Sequence, residues 1–338
     1  MAAMRTILLS CLLFTCGKVL GLSGNFWHIT DLHWDPTYKL TDNPDRVCAS
    51  SGKRPAHSAG KFGDYLCDAP WELINSTVYA MKDILPDPDF IVWTGDDTPH
   101  VPNEDLGEEA VLSIISNLTH IIKLVFPGTK VYSALGNHDY QSQLPPAQNN
   151  IYEQTAQLWQ GWLKPESQTT FRTGSPISAM FLTPGVTPWK TTLPGVIDGA
   201  NNPGIRVFEY DTQTLLVKDM VTYYLNLTHA NVAQARWEKE YRFTESFRVP
   251  DASPASMHQV AERMASNRCY LQKYYEFNSV NYDLTECNSD CRVNHVCAAR
   301  EVDFERYEHC LEKERASSTG VALLPVLSVV ISLVWSSC

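Results

Sequence analysis

Three apolar runs in the first part of the chain each stop at a cluster of carboxylates and imidazoles: NFWHITDLHWD (25–35), DFIVWTGDD (89–97) and KVYSALGNHD (130–139). Their β-branched and aromatic content reads as strands. The stretches between them carry a different period. Trp71, Ile74, Val78, Met81 and Leu85 recur at helical spacing after Asp68-Ala-Pro, which reads as a cap and a first-turn proline. Leu106, Ala110, Ile114, Leu118, Ile121 and Val125 form a second stripe, and a third helix is expected from about 150 to 163. Strand, helix, strand, helix, strand is the order of an α/β fold with parallel pairing and outside helices. Such sheets bind ligands beyond the carboxyl ends of their strands, where all three polar clusters lie.

After about residue 174 the texture changes. PISAMFLTPG, GIRVFEYDTQTLLVKDM and MVTYYLNLT read as short strands in hairpin order with Gly and Pro turns between them. A helix is expected over 256–277, then a cysteine-rich segment and a final helix around 301–313. With 338 residues, 44% of them hydrophobic, the chain can bury a full-sized core. Its net charge of −11 argues against a nucleic-acid polymer as partner. A phosphate-bearing substrate must therefore be held by a local charge, such as a metal, against the overall field.

Both ends read as targeting signals. Residues 1–23 have a cation at Arg5, an apolar run and small residues, the pattern of a secretory signal. Residues 316–338 run from small residues into VALLPVLSVVISLVW, which fits a glycosylphosphatidylinositol attachment signal and a lipid-anchored place on the extracellular face of the membrane. A single membrane span and a docked hydrophobic helix are the alternatives for that tail. Asn75, Asn117 and Asn226 lie in Asn-x-Ser/Thr sequons, as glycosylation on a secretory route requires. Without the ends, seven cysteines remain, and in an oxidising compartment they should mostly pair with one left over. Cys48, Cys67, Cys287, Cys291, Cys297 and Cys310 are assigned to disulfides, the last four forming two local ones; Cys269 has no assigned role. A zinc knuckle made from the last four with His295 and His309 is the competing reading.

The polar clusters carry the chemistry. Asp31 and His33 share a face at i and i+2, so both can reach one cation. Asp96 brings two oxygens able to bridge a metal pair, and His100 follows Pro99 on a loop that can reach the same space. Asn137 adds an amide oxygen and His138 an imidazole. Mixed carboxylate, imidazole and amide donors suit zinc or a similar transition metal. Paired metals clamp phosphoryl oxygens and generate hydroxide, while a histidine outside the metal shell protonates the leaving oxygen.

Asp-x-His, Gly-Asp-Asp and Gly-Asn-His-Asp in this order resemble the opening half of the calcineurin-like metallophosphoesterases. DLHWDPTY, CDAPW, FIVWTGDDTPH, LGNHD, SAMFLTPGVTPWK and GIRVFEYD bring the likeness closer to acid sphingomyelinase and its relatives, over nearly the whole chain from Phe26 to Cys310. The resemblance implies a β-sandwich flanked by helices and a C-terminal helical, disulfide-bonded segment. It implies that Asp31 and His33 bind a first zinc, Asp96 bridges, Asn137 binds a second zinc, and His100 and His138 serve near the leaving group. The substrates implied are phosphodiesters, either phospholipids such as sphingomyelin or small nucleotide derivatives.

The family pattern continues with a Gly-His-x-Pro and a Gly-His-x-His motif that bring three more imidazoles. None of the ten histidines here follows a glycine, and after His138 no two lie within two residues of each other. The segment carrying those motifs would fall between FRTG (171–174) and SPISAM (175–180), which abut directly. The expected organisation is thus an incomplete sandwich: an N-terminal half (24–174), the C-terminal strands (175–255) and a cysteine-rich helical region (256–315). Such a chain should bind one zinc weakly or none, with little or no turnover. The alternatives are a folded, non-catalytic surface binding protein and a chain that does not fold stably.

Overall fold

The computed structural model describes residues 23–52, 54–101, 106–139, 151–162, 183–190, 199–301 and 304–319. Within them one six-stranded sheet runs in the order β3-β2-β1-β4-β5-β6. Its strands are β1 (Ser23–Ile29), β2 (Phe90–Trp93), β3 (Lys130–Ser133), β4 (Gly204–Asp211), β5 (Val217–Leu225) and β6 (Trp237–Arg242). β1, β2 and β3 are parallel, as the strand–helix alternation requires, and β4 to β6 extend the sheet antiparallel from the other edge of β1. The helices of the first half are α1 (Trp71–Ile84), α2 (Glu108–Val125) and α3 (Ile151–Leu158).

Alternation along the strands gives the sheet two apolar faces. Trp27, Ile29, Ile91, Trp93, Val131, Ile205 and Val207 pack with the buried stripes of α1 and α2 into the larger core. Phe208, Met220 and Tyr241 face the opposite way and meet α5 (Phe243–Phe247) and α6 (Pro254–Ser266). Phe26 joins this second face, stacked between Phe90 at 4.6 Å and Phe208 at 5.0 Å. The aromatic row ends at Tyr132 on the edge strand, which is exposed.

Several expectations for the second half need correction. GIRVFEYDTQTLLVKDM is two strands, and the turn between them spans 212–216 without Gly or Pro; Leu215 supplies the left-handed residue at φ 60°. MVTYYLNLT continues β5 into the short helix α4 (Leu227–Val232), capped by Asn226. β6, WEKEYR, was not foreseen. The helix expected over 256–277 is two, α6 and α7 (Arg268–Asn278), broken at Asn267, whose side chain accepts from the Cys269 N–H. The cysteine-rich segment holds α8 (Ser289–Arg300), and the last helix, α9, runs Phe304–Thr319. Most of PISAMFLTPG lies outside the described residues; its end, 183–185, is loop.

The disulfides are Cys48–Cys67, Cys287–Cys291 and Cys297–Cys310, which removes the thiolates a zinc knuckle would need. Cys269 is disulfide-bonded too, so it is not left over. Asn117 and Asn226 are exposed, whereas Asn75 is half-buried on α1. The N-terminal signal pattern and the terminal apolar run also lie outside the described residues, among which no helix is long and apolar enough to cross a membrane.

Candidate metal centre

Beyond the carboxyl ends of β1 and β2 the backbone is strained. Asp31, His33 and Asp96 have φ of 50°, 34° and 57°, a region L-residues enter at a cost of about 1–3 kcal/mol each. Cross-loop hydrogen bonds hold them there: Asp31 N–H to Gly95 O at 3.0 Å, His33 N–H to Asp96 O at 3.0 Å, and Trp34 N–H to Asp97 O at 2.9 Å. Glycine is required where the Gly-Asp-Asp and Gly-Asn-His-Asp loops touch. A Cβ on Gly95, at φ +79°, would lie 2.1 Å from Gly136 N, and one on Gly136 would lie 2.1 Å from Asp96 Oδ1.

Asp139, fully buried, ties these loops together. Its carboxylate accepts the backbone N–H groups of Asp96, Asp97, Thr98 and Gly136 at 2.7–3.2 Å. Burial raises its carboxyl to about 6 against the pull of those donors, so it is ionised at neutral pH. Asp97 turns inward to the Trp93 indole at 2.9 Å, where burial and the neighbouring Asp139 push its carboxyl well above the ordinary range.

Asp31, His33 and Asp96 converge, each offering an atom within 4.8 Å of the others. His33 Nδ1 lies 2.7 Å from the Thr98 carbonyl oxygen, an acceptor, so Nδ1 carries the proton and Nε2 is left toward Asp31 Oδ1 at 3.8 Å. Burial opposes the charged form of Asp31, but hydrogen bonds from His33 and Thr30 and nearby imidazoles outweigh it and hold the carboxyl below its usual range. Burial likewise opposes a charge on His33, and Asp31, Asp68 and the Thr98 carbonyl outweigh it, leaving the imidazole more basic than usual. Two carboxylates and an imidazole with its second nitrogen already engaged are a chemically fitting donor set for one divalent transition-metal ion.

His100 and His138 stand beside this set, with ring centres 4.0 and 5.2 Å from His33 and 4.5 Å from each other. Asp68 is not the cap of α1 expected from sequence. That helix has Pro70 at its cap, with no side-chain hydrogen bond. Fully buried, Asp68 accepts the His100 N–H at 2.6 Å and faces His100 Nδ1 at 2.8 Å, so it fixes the tautomer and leaves Nε2 outward. Trp189 stacks on the other side of His100, at 3.9 Å. Burial first, and then His100 and His33, lower the His138 pKa. Asn137 opens a single 3-10 turn, Asn137–Asp139, and is exposed.

A cavity of about 480 Å³ opens over the site, with Asp31, His33, Asp96, His100, Trp189 and Arg206 in its lining. Asp68, Trp189 and Arg206 were missed as site residues. The first sits in a helix-start pattern, and the other two lie fifty or more positions beyond the last polar cluster. A hydrogen-bonding carboxylate ahead of a Pro can cap or orient, and sequence spacing does not distinguish the two.

A family model for the acid sphingomyelin phosphodiesterase C-terminal region matches residues 175–317. Acid sphingomyelinase-like phosphodiesterase 3b of Mus musculus is 42% identical over 431 aligned positions, covering 92% of this chain and 93% of that protein. The Homo sapiens protein of the same name is 42% identical, with 90% and 93% covered. A cyclic GMP-AMP phosphodiesterase of Rattus norvegicus is 30% identical, with 86% and 92% covered. The 431 aligned positions exceed the 338 residues of this chain, so the Mus musculus relative carries residues within the alignment that have no counterpart here.

Proposed function

Because the chain belongs to the acid sphingomyelinase-like phosphodiesterase family, we propose that its site is a metal-dependent phosphodiester hydrolase centre with donors for one weakly held cation and with weakened turnover. The observation that carries this reading is the convergence of Asp31, His33 and Asp96 beside an outward-facing imidazole on His100. Those three residues would hold zinc, the ion their mixed donors suit. Bound there, it would polarise a phosphoryl oxygen and make water a better nucleophile.

The chain's own groups do the rest. Asp68 holds one proton on His100 Nδ1, so Nε2 is the atom that, once protonated from solvent, hands that second proton to the leaving oxygen. His138, whose pKa burial and the neighbouring imidazoles lower, can hydrogen-bond the same oxygen. Turnover is weak in this reading because Asn137 and the shared Asp96 are too few donors for a second cation. The residues present in the Mus musculus relative and absent here fit a loss of the Gly-His motifs between 174 and 175, and the C-terminal family match starts at that point. The substrate class proposed is a phosphodiester of a small molecule or phospholipid. The disulfides fit an oxidising compartment, in keeping with a secreted or lipid-anchored chain.

Zinc content by plasma mass spectrometry, measured alongside hydrolysis of bis(p-nitrophenyl) phosphate, tests the proposal. One zinc per chain with slow hydrolysis, abolished in His100→Ala, is expected. Two zincs and fast turnover would remove the impairment. A folded chain with zinc and no turnover would favour the second reading, a non-catalytic binding protein, which the exposed and isolated Asn137 supports.

A further inference from the structure

We propose that Trp189 is the positioning residue that clamps the His100 imidazole flat, with His33 as the opposite jaw, and so keeps Nε2 aimed into the cavity. The inference deepens the hydrolase reading above, on which His100 is the proton donor. Asp68 grips the ring at one atom, Nδ1, at 2.8 Å. The outer torsion of a histidine side chain is broad and soft, and a ring held at one edge can still rock about that bond. Nε2, on the far edge, would move most. A clamp on both faces removes that freedom. Trp189 lies 3.9 Å from the His100 ring centre with 25° between the planes, and His33 lies 4.0 Å away with 31°. Two rings stacked that closely on a third cannot share one face, so His100 is sandwiched between them.

Both jaws are anchored. His33 is buried, and its Nδ1 is bound to the Thr98 carbonyl oxygen at 2.7 Å. The segment carrying Trp189 is laced to the strand end that carries Asp31. Val186 N–H donates to Thr30 O at 3.2 Å, and Thr187 N–H donates to Asp31 O at 2.9 Å. Gly185 permits that approach, since a Cβ there would lie 3.0 Å from Asp31 Cβ. Asn201 N–H donates to the Trp189 carbonyl oxygen at 3.0 Å, so the backbone is held on both sides of the indole. Trp189 is half-buried in the cavity wall, and an indole N–H, a donor only, cannot ligate an ion. Its contribution is therefore to the aim of the proton donor and not to the grip on the metal.

Nuclear magnetic relaxation of the His100 ring Cε1–H tests the clamp without needing turnover. It is measured on the zinc-free chain with isotope-labelled histidine, and the signal is assigned by its loss in His100→Ala. Trp189→Ala should drop the ring order parameter into the flexible range, below about 0.6. Trp189→Phe keeps a stacking face and should leave it near wild type. Hydrolysis is the second arm, because a donor that wanders costs more when the leaving oxygen is more basic. Trp189→Ala should lower kcat about tenfold or more on diphenyl phosphate and only about threefold on bis(p-nitrophenyl) phosphate, with zinc content unchanged. Trp189→Phe should recover most of both rates. Unchanged ring order in a folded Trp189→Ala chain overturns the proposal, as do equal losses on the two substrates, which would mark Trp189 as wall packing. Should Trp189→Ala fail to fold, Trp189→Leu, which keeps apolar bulk without a ring, decides by the same readings. A wild-type chain with no turnover sinks the hydrolase reading, and the ring order still decides this one.

Discussion

Asp139 and Glu240 are both carboxyl groups withdrawn from water, and the two ends of the sheet treat them in opposite ways. In the turn after β3, Asp139 receives four backbone N–H groups and stays ionised at neutral pH. On β6, Glu240 has no hydrogen-bond partner for either oxygen, and burial keeps it protonated to about 8. A buried polar group is paired or costly. The loops that carry the candidate ligands are thus complete within themselves, while the β4–β6 end holds a carboxyl whose partners are not among the described residues.

The sharpest way to break this contrast is at the glycine contact. Gly95→Ala should cost about 3 kcal/mol or more, since a Cβ cannot sit 2.1 Å from Gly136 N at that backbone angle; a melt close to wild type would refute the tight-loop account. Asp139→Asn should cost about 2–3 kcal/mol in urea unfolding at pH 7, because an amide presents hydrogens to N–H donors. Metal binding sharpens the comparison further. Asp31→Asn should lower zinc affinity by more than the roughly 10–100-fold that outer-sphere partners command, whereas Asn137→Ala should change it less than about threefold. Equal losses in the two variants would mean that the second half-site is built after all.

Glu240 gives a pH signature. Its folded pKa lies above its unfolded value, so its neutral form is favoured in the fold. Its contribution is fully present below about 4.5 and is lost as the pH rises toward 8. Between those limits stability should fall with pH by up to about 1.4 kcal/mol per unit from this group. Urea midpoints at pH 5 and 8 measure the slope, which Glu240→Gln should flatten; an equal slope in the variant sinks the assignment.

Much of the first half is legible in sequence because period, turn and function coincide there. The apolar runs ending at Asp31, Asp96 and Asn137 stop at polar clusters, and α1 and α2 show unbroken stripes. The second half hides its strands for physical reasons. β6 is mostly charged and takes its place through pairing with β5, not through an apolar face. The 212–216 turn has no Gly or Pro and relies on an exposed leucine at positive φ. Asn267 divides α6 from α7 by capping the second helix, a choice helical period alone cannot register. In the site, metal-type donors announced themselves by identity at strand ends, while Asp68 acts through shape made by distant segments.

Cys67 is the residue immediately before Asp68, and its disulfide to Cys48 closes the loop leading into α1. The orientation of His100 is therefore fastened by a covalent rivet that belongs to no part of the cation's cradle. Under reductant, zinc uptake should persist while hydrolysis weakens first. A chain that lost its zinc first would show the rivet serving the cradle instead. Oxidation would then set the proton donor and leave the ion's grip to the backbone.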